Sequence, residues 1–243
     1  MEKYSYSKLT LFESCKYAYF LKYYMNVREK GNSLSDYGRF VHSLLENYYT
    51  KKIAKNELVD MYMYEYKAYV KKPIIFNFGE NSHKDFSLKY YQKGLEYFKN
   101  FVGFDEMGYE IVSAEKKFTV SRNDDYCFEG IIDLILKKND DYIVVDHKSS
   151  NPYNADDLEE KIKQLYIYSE AIKGIYGKYP KNLIYNFFNA QTIKKYEFDN
   201  DALIDTMLWA DEIVHDIRTT KNENNKFYCF TLCGYKDNCI IGS

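Results

Sequence analysis

The most constraining feature of this chain is a short apolar run, Tyr142-Ile143-Val144-Val145, that ends in Asp146-His147-Lys148. Apolar side chains on both alternations are what a strand needs when both of its faces are buried, as at the centre of a layered α/β sheet. Charges at the end of such a strand are costly to bury alone and need partners. The pattern acid-any-lysine says little by itself, because it also occurs at Glu65 to Lys67, Glu115 to Lys117 and Glu159 to Lys161. Only the copy at 146–148 closes a strongly apolar strand, and only it has an acid, Asp133, suitably placed on the strand before it.

Three β-branched or aromatic runs, Glu110 to Val120, Tyr126 to Lys137 and Tyr142 to Lys148, are separated by Asn and Asp turns and read as an antiparallel meander. In a hairpin that turns at Asn139-Asp140, Asp133 stands directly opposite Asp146. Opposed residues point to one face with Cβ atoms roughly 4.5–5.5 Å apart, and period two brings Lys148 to that face as well. Two carboxylates that close repel each other. A cation between them keeps both ionised, and hard oxygen ligands suit Mg²⁺ or Mn²⁺. Such an ion can acidify a water and neutralise a phosphate, while an ammonium beside it supports the attacking water or the developing negative charge.

The first 100 or so residues read as mainly helical, with apolar residues at three- and four-residue steps over about 7–24, 36–53, 56–71 and 85–102. After the meander the pattern predicts a polar helix from about Asp156 to Tyr176, a strand Leu183 to Asn189, a short partner near Lys194 to Phe198, and a helix from about Asp201 to Thr219. No repeat or low-complexity linker divides the chain, so one domain over 1–243 is expected: 1–105 mainly helical, 106–200 a core, 201–243 a helix and a cysteine-bearing tail. The fold class is α/β, a mixed sheet with an antiparallel meander flanked by helices.

With 34 basic against 36 acidic residues the chain has no global basic field, so any polyanion must be held in a local groove. Lys161, Lys163, Lys173, Lys178 and Lys181 are the local candidates, either touching phosphates or forming a solvated face with Asp156, Asp157, Glu159 and Glu160. The 28 tyrosines offer stacking surfaces, although AT-rich codon usage gives the same bias and fits a phage or a low-GC bacterium. No apolar stretch approaches the ~20 residues of a bilayer span. A cytoplasmic, intracellular protein without membrane contact is expected.

Gly130-Ile131-Ile132-Asp133, Val144-Val145-Asp146-His147-Lys148 and Gln164-x-x-x-Tyr168 resemble the motif series of RecB-like nucleases in the PD-(D/E)XK superfamily. Ser5 to Leu21 and Gly38-Arg39-Phe40-Val41-His42-Ser43-Leu44-Leu45-Glu46 resemble that family's N-terminal motifs, so the likeness spans nearly the whole chain. The resemblance implies a restriction-endonuclease-like sheet and a metal-dependent nuclease acting on DNA, with single strands or ends favoured. It implies a metal held by His42, Asp133, Asp146 and the backbone carbonyl of His147, with Lys148 catalytic. Gln164 and Tyr168, four residues apart on one helical face, would orient Lys148, the water or the phosphate. Glu115 resembles the acid that precedes the core motif and either supports the site or stands exposed beside Lys116 and Lys117. A catalytically idle DNA-binding or assembly protein, partnering a helicase or a CRISPR or recombination complex, is the rival reading. Repair, recombination and CRISPR adaptation are not separated by the sequence.

Five cysteines in an intracellular chain suggest ligation rather than disulfides. Cys229-x3-Cys233-x5-Cys239, with Cys15 far upstream, resembles the iron–sulfur arrangement of the AddB helicase-nucleases and CRISPR-associated exonucleases. Those relatives show two residues between the first C-terminal pair, whereas this chain has three. Four thiolates hold either a [4Fe-4S] cluster or Zn²⁺. The resemblance implies the cluster. Cys127, within a strand beside Phe128, reads as a small buried hydrophobe.

Overall fold

A computed structural model describes residues 1–75, 83–122 and 124–220, together with Gly234, Tyr235 and Cys239. The expected meander forms as β2 (Glu110–Arg122), β3 (Tyr126–Lys138) and β4 (Asp141–Lys148). Asn139, in the left-handed region at φ 56°, turns the β3–β4 hairpin, and Lys138 pairs with Asp141 as a two-residue loop requires. β5 (Asn182–Phe187) lies parallel to β4, and β6 (Thr192–Glu197) pairs antiparallel with β5. A short strand that the sequence pattern does not reveal, β1 (Glu2–Tyr4), runs parallel to the start of β3. Three residues carry too little periodicity to be read as a strand.

β2 occupies one edge of β3 along almost its whole length, so β1 and β4 share the other edge. β1 takes residues 126–128 of β3 and β4 takes 134–138. Between them lies a gap in the sheet, and Asp133 sits at its border.

Helices cover both faces. α1 (Tyr6–Ser14), α7 (Lys163–Tyr176) and α8 (Asn200–Thr219) pack on one side with Phe118, Phe128, Ile132, Val144, Tyr185 and Phe187 of the sheet. α3 (Ser33–Tyr49), α4 (Leu58–Tyr69) and α5 (Ser87–Lys99) pack on the other with Leu134, Leu136, Ile143, Val145 and Ile184. The predicted first helix is broken in two, because Cys15 leaves helical geometry and its sulfur caps α2 (Lys16–Tyr23) by accepting the Ala18 N–H at 3.3 Å. The polar helix after β4 likewise divides into α6 (Ala155–Lys161) and α7, with Ile162 between them. α3 starts with a reciprocal cap: Asn32 accepts the Ser35 N–H at 2.8 Å and the Ser35 hydroxyl accepts the Asn32 N–H. Among the described residues no helix is long and apolar enough to cross a membrane.

The helical layer is tightly packed around Tyr62, which is fully buried and donates to the Tyr91 carbonyl at 2.9 Å. A Cβ on Gly94 of α5 would lie 2.3 Å from the Tyr62 hydroxyl. Overpacking of this kind exceeds the helix-propensity gain of alanine, so Gly94→Ala should destabilise the protein by about 1–2 kcal/mol. Denaturant unfolding checks this; a variant as stable as the parent would show that the contact relaxes freely.

Candidate active site

The β3–β4 ladder runs in the register expected from the hairpin turn, and its last pair is Leu134 with Val145. One step further Asp133 and Asp146 no longer pair through their backbones. The Asp133 carboxylate accepts the His147 backbone N–H at 2.7 Å instead, a side chain standing in for the neighbouring strand.

β3 and its neighbour β2 both change face at this level. On β3, Tyr126, Phe128 and Ile132 belong to the α7–α8 core while Leu134 and Leu136, also even-numbered, belong to the α3–α4 core. Period two is therefore broken around Asp133. On β2 the matching position is Glu115, whose φ of 49° lies in the left-handed region that a non-glycine residue occupies at a cost of about 1–3 kcal/mol. The bend brings Glu115 to Asp133 and to His42 of α3, with one ligand atom of each within 4.8 Å of the others. His42 Nδ1 lies 3.6 Å from Asp133 Oδ2, and its ring also meets the backbone of His147. The His147 carbonyl thus borders the same space.

The alternation of β4 sorts the other groups. Asp146 and Lys148 face α7, where Lys148 Nζ sits 2.6 Å from Asp146 Oδ2 and donates to Gln164 Oε1 at 2.9 Å. Gln164 Nε2 in turn donates to the Tyr168 hydroxyl at 2.7 Å. The Lys148 ammonium is thus ion-paired with the buried Asp146 Oδ2. The His147 ring faces the other way, stacked on Tyr49 at 6.2 Å between centroids and 2.9 Å from Asn186 Nδ2.

Burial, reinforced by the Asp146 charge, pushes the Asp133 carboxyl well above the usual carboxylate range, against the opposing pull of the His147 N–H and Lys148. Burial and then the charges of Glu46 and Asp146 raise Glu115. Burial lowers His42 despite the attraction of Asp146. Lys148 behaves oppositely: burial pulls it down most strongly, but Asp146, Tyr153 and Asp133 together outweigh burial and raise the ammonium above its ordinary value. Tyr168 is driven well above its ordinary value by burial and then by Asp146 and Asp133, so it remains a phenol.

Crowded carboxyls that burial and neighbouring acids push upward, next to an imidazole that burial pushes downward, form a place that a cation would suit. Carboxylate oxygens with one imidazole suit Mn²⁺ or Mg²⁺, and the residues present fit such an ion. The sequence pointed to His42, Asp133, Asp146 and His147; the tightest cluster is His42, Glu115 and Asp133, with Asp146 engaged by Lys148 alongside. Glu115, which the family resemblance singles out, thus stands with His42 and Asp133, and only its left-handed backbone goes unannounced by the local residue pattern.

Of the candidate lysines, Lys161 pairs with Glu160, Lys181 with Asp141, Lys163 lies over the Trp209 ring, and Lys173 and Lys178 donate to the carbonyls of Gly177 and Asp140. Cys127 is buried in β3. Cys229 and Cys233 lie outside the described residues. Cys15 is half-buried at the start of α2, Cys239 is buried, and Tyr235, between Cys233 and Cys239 in the chain, packs on Ala18 and Leu21 with Cys15 at the edge of that cluster.

A six-stranded mixed sheet with an acid-rich bend, a lysine at the end of its central strand and helices on both faces defines a restriction-endonuclease-like α/β protein. The family model described as the PD-(D/E)XK nuclease superfamily matches residues 3–240, and the chain belongs to that superfamily, whose nucleases use divalent metals. No curated protein matches it.

The raised Asp133 carboxyl has a thermodynamic consequence with a definite sign. The unfolded chain releases this proton at a lower pH than the folded one. Metal-free protein therefore loses stability as pH rises from the ordinary carboxylate range through the folded-state value. Asp133→Asn keeps an oxygen for the His147 N–H and removes the charge, so in chelator it should be more stable than the parent at neutral pH and show a smaller loss as pH rises. Added Mn²⁺ should raise the parent's unfolding free energy, by about 2.7 kcal/mol at a hundredfold excess over Kd, and leave Asp133→Asn nearly unmoved. Melting curves with and without Mn²⁺ that coincide for both proteins would refute a cation site here.

Proposed function

We propose that the protein is a Mg²⁺- or Mn²⁺-dependent deoxyribonuclease that hydrolyses phosphodiester bonds, acting on single strands or DNA ends as an exonuclease. The observation that carries this reading is the convergence of His42, Glu115 and Asp133 beside an ammonium held by Asp146 and Gln164.

In this reading His42, Asp133, Asp146 and the His147 carbonyl hold the ion, with Glu115 as a further oxygen donor. A cation held there would neutralise charge on the scissile phosphate and acidify the attacking water. Lys148, kept charged by Asp146, sits where negative charge develops on the phosphate, and a fixed ammonium there needs no reorganisation during reaction. Gln164 fixes the ammonium through its Oε1 and is fixed through its Nε2 by Tyr168, a phenol that stays protonated. The new bond joins water oxygen to phosphorus, the phosphorus–ester oxygen bond breaks, and the proton ends on the leaving alkoxide.

The test is degradation of labelled single- and double-stranded DNA and RNA with Mn²⁺ or Mg²⁺. Lys148→Ala and Asp146→Ala should each lose activity by on the order of 100- to 1,000-fold. Equal rates in parent and variants would refute the assignment. DNA binding without cleavage by the parent would point to an assembly protein that keeps the fold, serving a helicase or a recombination complex.

We also infer that Cys15, Cys229, Cys233 and Cys239 ligate one metal group, a [4Fe-4S] cluster in preference to Zn²⁺, that joins the first helices to the tail. Packing of Tyr235 beside Cys15 supports this, as does the place of the Cys15 sulfur at a helix N-terminus, which favours thiolate. Anaerobically purified protein should absorb near about 400 nm and lose that band with Cys15→Ser. Colourless protein with stoichiometric zinc would replace the cluster by Zn²⁺.

A further inference from the structure

Two buried asparagines behind the reaction strand have no part in the chemistry above. β5 is buried at all six positions, yet it carries Asn186 beside His147 in the parallel ladder with β4. Asn186 Nδ2 donates to His147 Nδ1 and to the Tyr97 hydroxyl of α5, both at 2.9 Å. The ladder ends at Lys148 and Phe187, after which the chain turns through a short 3-10 segment, Phe188–Ala190. There Asn189 takes over: its Nδ2 donates to the Ser149 carbonyl at 2.5 Å and its Oδ1 accepts the Tyr37 hydroxyl of α3 at 2.6 Å. All four side chains are buried.

The two amides grip β4 at His147 and Ser149, the positions on either side of Lys148 that face α3 and α5. Lys148 and Asp146 face the opposite side. Tyr37 stands on the same helix as His42, so the Asn189 contact also sets the height of α3 against the strand. An amide is costly in an apolar layer unless every bond is made, and a leucine of similar size would satisfy packing alone. The geometry points to positioning: we propose that Asn186 and Asn189 are positioning residues that hold the 147–149 backbone and the His42 helix in register, so that the metal ligands and Lys148 keep their separation. This rests on the metal-dependent cleavage proposed above.

The experiment compares Asn186→Leu and Asn189→Leu with Tyr97→Phe and Tyr37→Phe, which delete one hydrogen bond each while keeping the ring. Gly94→Ala is the control that lowers stability through Tyr62, which bonds neither asparagine. kcat and KM are measured on a labelled single-stranded oligonucleotide well below the melting temperature, and Mn²⁺ affinity separately by calorimetry. Groups that orient metal ligands from behind typically change affinity or activity by 10- to 100-fold. The leucine variants should lose kcat by that factor with KM within about twofold, and Mn²⁺ affinity by about tenfold. The phenylalanine variants should move the same way by less, and Gly94→Ala should move neither quantity. If the leucine variants do not fold, the phenylalanine pair decides by direction. Folded variants with kcat and Mn²⁺ affinity within twofold of the parent would overturn the proposal, as would equal losses in Gly94→Ala. Should the parent cleave no oligonucleotide, the proposed function fails by itself, and Mn²⁺ affinity still reads the positioning.

Discussion

The bond from the His147 N–H to the Asp133 carboxylate is the contact on which the rest of the site depends. It marks the level at which the central sheet stops being held by backbone and begins to be held by side chains. β1 and β4 share one edge of β3 without meeting, and the gap leaves a half-buried acid at the border of two strands. A backbone N–H must be paired when buried, and Asp133 pairs it. The same carboxylate is thereby fixed within 3.6 Å of His42 and close to Glu115.

What the arrangement stores is electrostatic and conformational. Asp133 and Glu115 are both pushed toward their neutral forms by burial and by neighbouring acids, and Glu115 adopts a backbone conformation foreign to most side chains. Neither is favourable in isolation, and a divalent ion held by these oxygens would offset the crowding of charge. Lys148 completes the balance from the other side of the strand, where Asp146 offsets the burial of the ammonium. One strand end therefore presents a place short of positive charge and a fixed positive charge a few residues apart.

Strand alternation and the two helical layers turn this local chemistry into a defined geometry. Asp146 and Lys148 are addressed by Gln164 and Tyr168 of α7, whereas His147 and Ser149 are held through Asn186 and Asn189 by tyrosines of α5 and α3. The helices on the two faces thus address alternate residues of the same strand end, and neither layer alone completes it.

Much of this was legible in the residues. The apolar strand ending in charge, the Asn139-Asp140 turn and the resulting Leu134–Val145 register are local, because hydrogen-bonding pattern and side-chain period follow from a few neighbouring residues. The four-residue spacing of Gln164 and Tyr168 is local for the same reason. Glu115 was singled out by the family resemblance alone; the left-handed backbone it adopts inside a strand was not legible in the local residue pattern. β1 was hidden because a three-residue strand exists only through its partner. Asn186 and Asn189 stood in the sequence as polar residues in an apolar stretch, but what they bond to lies 39 and 40 residues away, at the end of β4 and just beyond it. Sequence alone determined which groups are available and which strand carries them; tertiary structure decided which of them meet, because burial, strand parting and the long-range hydrogen bonds exist only once the layers have closed.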